Sequence, residues 1–233
     1  MRYEKGIDQL VSCVNVLILL VIALLYVVTG TGLGEDAVSA LSNGTAYRGR
    51  ANGSVAVECL VSWDAQSLPD MLDTLREENV QITFFVSGAW AKAHADTLLT
   101  MAEDGHEIGT LGYAPTLDGS ANLVAHDIRA SVSVIERITG KPVTCYCSDR
   151  RDRDVSARAA DQTGLTHVYA SSDLLTGRGE AADIVERACK TAFDGSIILL
   201  RPTAAAAEAL PGILDAIRTG ERKPTTVGRL LLI

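Results

Sequence analysis

The spacing of apolar positions changes along this chain, and each change predicts an element. From Leu10 to Val28 the run is uncharged, with Ser12, Cys13 and Asn15 as its polar interruptions. At about 1.5 Å per residue, a helix of that length crosses a hydrocarbon core of about 30 Å. Residues 29–53 then turn small and polar and predict a linker. From Ser54 the patterns of strand and helix alternate. Ser54 to Trp63 reads Ser-Val-Ala-Val-Glu-Cys-Leu-Val-Ser-Trp, a strand-forming run that ends at Asp64. Leu68, Met71, Leu72 and Leu75 recur at helical spacing and predict a helix over 68–77, with Pro69 suited to its first turn. Val80 to Val86 is almost wholly apolar and β-branched, as suits a strand covered on both faces.

The alternation continues with helices expected at 89–103, 123–139, 155–163, 181–192 and 204–218. Strands are expected at 106–109, 143–147, 167–170 and 196–200, and the apolar run Val227 to Ile233 closes the chain. This order implies parallel strands joined by right-handed crossovers. The expected architecture is α/β: a single (β/α) barrel-like domain over residues 54–233, with function at the C-terminal ends of its strands.

Charge adds an orientation. Arg2 and Lys5 precede the first apolar run, whereas Glu35 and Asp36 follow it. The bias predicts a cytoplasmic N-terminus (residues 1–9), a transmembrane anchor (10–28) and an extracytoplasmic body, a single-pass protein of the cell membrane. A cleaved signal peptide is the other reading, but its apolar core runs to about 7–15 residues, so the longer run favours an anchor. The net charge of −8 excludes a nucleic-acid partner. Of the five cysteines, Cys13 lies in the apolar run; Cys59, Cys145, Cys147 and Cys189 remain for the body as buried thiols or a disulfide, with no C-x-x-C pair for zinc. Cys145 and Cys147, two residues apart on a strand, share one face.

Several segments, in order, resemble the NodB-type polysaccharide deacetylases, carbohydrate esterase family four. They are the 68–77 helix, Val80-Gln-Ile-Thr-Phe-Phe-Val86, Glu103-Asp-Gly-His-Glu-Ile-Gly109, Ile138-Thr-Gly-Lys-Pro142, Asp194-Gly-Ser-Ile-Ile-Leu-Leu200 and Ala209-Leu-Pro-Gly-Ile-Leu214. The resemblance implies a divalent metal held by one Asp and two His, a second Asp as base and a late His as acid, acting on N-acetylated sugars. The family motif Thr-Phe-Asp-Asp-Gly is similar to Ser62-Trp63-Asp64-Ala65-Gln66 here, so Asp64 stands for the base and Ala65 for the metal-binding Asp. The two histidine positions fall on Leu111 and Pro115. The third motif falls on Tyr146-Cys147-Ser148-Asp149-Arg150, the fourth keeps Asp173, and Arg201 takes the place of the acid His.

Alanine, leucine and proline side chains have no lone pair to offer a metal, and without a metal the attacking water loses its activation. The resemblance therefore implies a degenerate member with no metal cofactor. Its expected role is binding or scaffolding at the cell envelope, toward a cell-wall glycan or an envelope protein, with Trp63 and Tyr146 as contact residues. The alternative is a hydrolase that works through Asp64 and Asp173 as paired carboxylates. The bland reading of Asp173 and Arg201 is an ion pair. Of the histidines, His94 and His126 fall in expected helices, His106 in the Gly-His-Glu-Ile-Gly segment, and His167 opens an expected strand; each reads as structural.

Overall fold

The computed structural model describes Ile18 and Val21, both helical, and residues 44–50, 53–63, 65–148, 153–174 and 179–233. The expected anchor at 10–28 otherwise lies outside the described residues, as does most of the expected linker at 29–53. No helix among the described residues is long and apolar enough to cross a membrane.

A parallel sheet organises the body. Its strands are β1 (Thr45–Ala46), β2 (Ser54–Val61), β3 (Thr83–Val86), β4 (Glu107–Thr110), β5 (Cys145–Cys147), β6 (Thr166–Val168), β7 (Ser172–Asp173), β8 (Ile197–Leu200) and β9 (Lys223–Thr225). They lie in the order β1-β6-β5-β4-β3-β2-β8-β7, with β9 pairing β2. The helices are α1 (Leu68–Glu77), α2 (Gly88–Ala93), α3 (Ala95–Glu103), α4 (Ala121–Thr139), α5 (Arg153–Thr163), α6 (Ala181–Thr191), α7 (Ala204–Thr219) and α8 (Val227–Leu231). Among the described residues the strand path ends at β1 and at β7, so the expected barrel is an open half-barrel. Both end strands are two residues long, too short to build a closing ladder with one another.

Strand alternation explains the layers. On β2, Val55, Val57, Cys59 and Val61 face the helix layer, where they pack with Leu68, Met71, Leu72 and Leu75 of α1. Ala56 and Leu60 face the concave side, with Phe85, Leu111, Cys145, Cys147, Ile197 and Leu199. The short α8 closes the end of this concavity where the strands begin. Val227 and Leu230 join the concave cluster, the Val227 N–H donates to Thr83 Oγ1 at 2.8 Å, and the Gly228 N–H donates to Glu107 Oε2 at 2.9 Å. The sheet's opposite end, where the strands finish, remains as the mouth.

Three boundaries differ from expectation for identifiable reasons. Residues 44–50 belong to the compact unit Gly44–Ile233 rather than to a linker. Thr45 and Ala46 pair with His167 and Val168, and Gly49 N–H donates to Gly195 O at 2.9 Å. The expected 89–103 helix is two helices, because His94 leaves helical geometry (φ −127°, ψ 46°) and stacks on Trp90 at 4.9 Å. The C-terminal apolar run is the helix α8, preceded by the unanticipated strand β9.

Candidate functional site

The mouth is built by the segments that leave the strands. Trp63 follows β2 and is 71% exposed. Leu111 follows β4 and is 3% exposed, in the concave cluster with Leu60, Phe85 and Cys147. The loop beyond it is pinned from α4: the Asp127 carboxylate accepts the Tyr113 N–H at 2.9 Å and the Ala114 N–H at 3.0 Å. Gly88 and Ala89 of α2 donate to Gly112 O and Tyr113 O at 3.1 and 3.3 Å. Pro115 is half-buried in this pinned loop, and Ala65 packs partly buried against the helix-side core.

On the other side of the mouth, Arg201 Nη1 lies 3.3 Å from Asp173 Oδ2, with both side chains about one-third exposed (33% and 37%). Arg201 and Asp173 are thus brought together as an ion pair. A pair so exposed contributes little to stability, but it commits the Asp173 carboxylate to a cation. Asp64, the expected base, lies outside the described residues.

Tyr146, expected to contact a ligand, does not reach the mouth. Its side chain is fully buried on the helix side, among Val124, Ala125, Ile128, Ala159 and Ala160. The cause is strand alternation: Cys145 and Cys147 take the concave face, so the residue between them faces the helices.

The residues that the motif resemblance sets at the metal positions do not fit a metal. Ala65, Leu111 and Pro115 carry no donor atom, and Leu111 fills its place with hydrocarbon. Among the described residues no three His, Cys, Asp or Glu side chains form a group able to hold an ion.

The histidines do structural work. His106 Nδ1 accepts the Ile82 N–H at 3.2 Å and its ring meets Phe84 edge-on. Burial holds it down at about 4, with Arg76 and Lys141 also opposing protonation and Asp104 favouring it. His167 ties three strands together: Nδ1 lies 2.8 Å from Thr45 Oγ1 of β1 and Nε2 lies 3.2 Å from Ser148 Oγ beyond β5. Burial, aided by Arg153, also puts His167 at about 4, so both rings are neutral at pH 7.

One residue was not anticipated. Glu58 lies mid-strand on β2, fully buried, and neither carboxyl oxygen has a hydrogen-bond partner among the described residues. Burial, reinforced by Asp173 and opposed by Arg201, raises it to about 8. The available signal was an acid interrupting the apolar run Val-Ala-Val-Glu-Cys-Leu-Val, where a doubly covered strand has no room for charge.

Fold and site together define an α/β half-barrel of parallel strands whose mouth, where such scaffolds carry their chemistry, is lined among the described residues by Trp63, Leu111 and the Arg201–Asp173 ion pair. Residues 60–168 match the polysaccharide deacetylase family model, and the chain carries a domain of that family, the NodB or carbohydrate esterase four type. BA3943 of Bacillus anthracis, a family-four pseudoenzyme, shares the fold with a TM-score of 0.74 and 24% identity, covering 81% of this chain and 69% of that one. A BA3943 mutant with restored enzymatic activity gives a TM-score of 0.76 at 23% identity, covering 81% and 71%. PdaA of Bacillus subtilis, a family 4 carbohydrate esterase, gives 0.74 at 20%, covering 81% and 85%. The uncharacterised protein YlxY of Bacillus subtilis (strain 168) is 25% identical over 162 residues, 68% of this chain; the chain spans about half (51%) of that relative's length.

Proposed function

We propose that this protein is a membrane-anchored, extracytoplasmic deacetylase-like domain that has lost metal-dependent amide hydrolysis and binds a cell-wall glycan or an envelope protein through the mouth of its half-barrel. The observation that carries the reading is the burial of Leu111 in the concave cluster, the residue that the motif resemblance aligns with the family's first histidine. A metal-bound water needs a polar pocket with a vacant coordination position; Leu111 supplies neither. The commitment of Asp173 to Arg201 speaks against the hydrolase that would use Asp64 and Asp173 together, since a general base must be able to take a proton. The exposed Trp63 offers the mouth an aromatic surface for either a sugar face or a partner side chain.

The anchor at 10–28 and the cytoplasmic N-terminus rest on the apolar run and its flanking charges. The test uses the full chain in detergent, incubated with zinc and acetylated chito-oligosaccharides. We expect no stoichiometric zinc and no acetate, together with retention of either the oligosaccharide or a crosslinked envelope protein that weakens in Trp63→Ala. Acetate release above the blank overturns the reading.

A further inference from the structure

The outer side of α4 carries a groove that the function proposed above leaves unused. It lies between α4 and the turn from α5 into β6, with a volume of about 530 Å³, in the range of ligand-binding clefts. Arg129, Ser133 and Arg137 recur every four residues and form one stripe along α4, about 12 Å from end to end at the helical rise. Val132 and Leu165, both half-buried, supply an apolar floor beside that stripe. Leu165 directly precedes β6, and the Glu136 carboxylate that also lines the groove accepts the Val143 N–H at 3.1 Å, just before β5. The groove therefore sits on the helix layer toward the starts of these strands, away from the mouth.

The polar groups of the groove are not equivalent. Thr163 Oγ1 donates to Ala160 O at 2.8 Å, so its hydroxyl is committed to its own helix. Arg129 Nη2 donates to Gln162 O at 2.7 Å, which fixes its guanidinium against the end of α5 and leaves it further N–H donors to offer. Arg137 is exposed and makes no hydrogen bond or ion pair among the described residues. Its place in the last turn of α4 suits the helix dipole, but the dipole explains neither Arg129, two turns earlier, nor the apolar floor. On a chain of net charge −8, two guanidiniums against one carboxylate reverse the local sign and draw an anion. The lining includes no aromatic ring on which a sugar could stack.

We propose that this groove docks an extended acidic segment of a partner protein, with the pattern acid-x-apolar-x-acid. In an extended chain residues i, i+2 and i+4 face one way, and the outer two stand about 13 Å apart. That span matches the stripe on α4, so each carboxylate meets one guanidinium while the apolar side chain between them lies on Val132 and Leu165. Arginine suits the role because its planar fork gives a carboxylate two parallel hydrogen bonds. Ser133, midway along the stripe and exposed, offers its hydroxyl to the backbone of the segment. A polysaccharide would set hydroxyls against the hydrocarbon floor without partners, so a peptide is the better match. The groove is separate from the mouth, and its partner does not depend on what the mouth binds.

The test titrates the full isotope-labelled chain in detergent with the peptide Ser-Glu-Thr-Leu-Thr-Glu-Ser. The amide signals of Arg129, Ser133, Arg137 and Leu165 should shift saturably, with a Kd of about 1 mM or tighter. Arg129→Gln and Arg137→Gln should each weaken binding about three- to fivefold, and added salt should weaken the parent more than either variant. Replacing the peptide's Leu by Ser should cost about tenfold. Regrouping its acids as Ser-Glu-Glu-Leu-Thr-Thr-Ser keeps the charge but turns one carboxylate away, and should weaken binding about as much as losing one arginine. No saturable shift, shifts at other residues, or equal binding of the regrouped peptide overturns the proposal. Polygalacturonate moving the same amides where the peptide does not would assign the groove to an acidic glycan and overturn it as well. Should an arginine variant fail to fold, the two altered peptides decide on the parent chain.

Discussion

Replacing Glu58 by Gln should change the shape of the stability curve with pH. The folded carboxyl sits at about 8 against a model value of 4.5, so between these values the folded chain holds a proton that the unfolded chain has lost. Stability then falls as pH rises, by about 1.4 kcal/mol per unit for one proton. His106 and His167 work the other way. Each is held at about 4 against 6.5, so the unfolded chain binds the extra protons and stability rises as pH climbs from about 4 to about 6.5. Below pH 6.5 the two histidines outweigh the one carboxyl, and above it only the carboxyl acts. These three groups thus place the stability maximum near pH 6.5, followed by a loss of about 1 kcal/mol by pH 8, where Glu58 is half ionised. In Glu58→Gln that loss should vanish, leaving a plateau, while the acid limb set by the histidines stays. Urea unfolding of residues 44–233, followed by tryptophan fluorescence at half-unit steps, measures both curves. If parent and variant run parallel between about pH 6.5 and pH 8, the carboxyl is not held protonated and the reasoning fails.

Other perturbations probe the emptied mouth and the strands around it. Ala65→Asp, Leu111→His and Pro115→His together should create zinc binding, seen as a midpoint shift of about 2.7 kcal/mol when free zinc stands at about 100 times its Kd; a folded variant with no shift means the cleft itself has been remodelled. Thr45→Val removes a hydroxyl from the buried His167 Nδ1 while keeping its shape, and should cost about 1–3 kcal/mol in urea unfolding because the ring nitrogen loses its partner. No loss would mean that β1 is only loosely attached. Gly109→Ala should cost about 1–3 kcal/mol or more, since its added Cβ would lie 2.4 Å from Phe85 Cε1 and 3.2 Å from Cys145 O; an unchanged midpoint would show that Phe85 gives way freely.

Local patterns carried much of this fold. Leu68, Met71, Leu72 and Leu75 set α1 because their spacing makes one apolar face, and all four are buried. The run ending in Phe84, Phe85 and Val86 set β3, because a strand buried on both sides leaves no polar alternation to misread. What escaped was structure held by distant partners. Thr45–Ala46 is too short to show a period; it becomes a strand because His167, 122 residues later, accepts or donates at Thr45. For the same reason α8 was missed: its place depends on Thr83 and Glu107 receiving its first N–H groups, neither of which is marked near Val227.

The site divides along the same line. That Ala65, Leu111 and Pro115 offer a metal no donor was legible, because donor chemistry belongs to the residue type and needs no coordinates. That Arg201 pairs with Asp173 was one of two open readings, and geometry selected it. Tyr146 was misplaced even though Cys145 and Cys147 had been put on one face, which forces the residue between them onto the other. Glu58 is the reverse case: its anomaly stood in the open, an acid among Val57, Cys59 and Leu60, but its meaning required knowing that neither carboxyl oxygen finds a hydrogen-bond partner among the described residues. A family resemblance directs attention to inherited positions; the buried carboxyl of Glu58 lies at none of them.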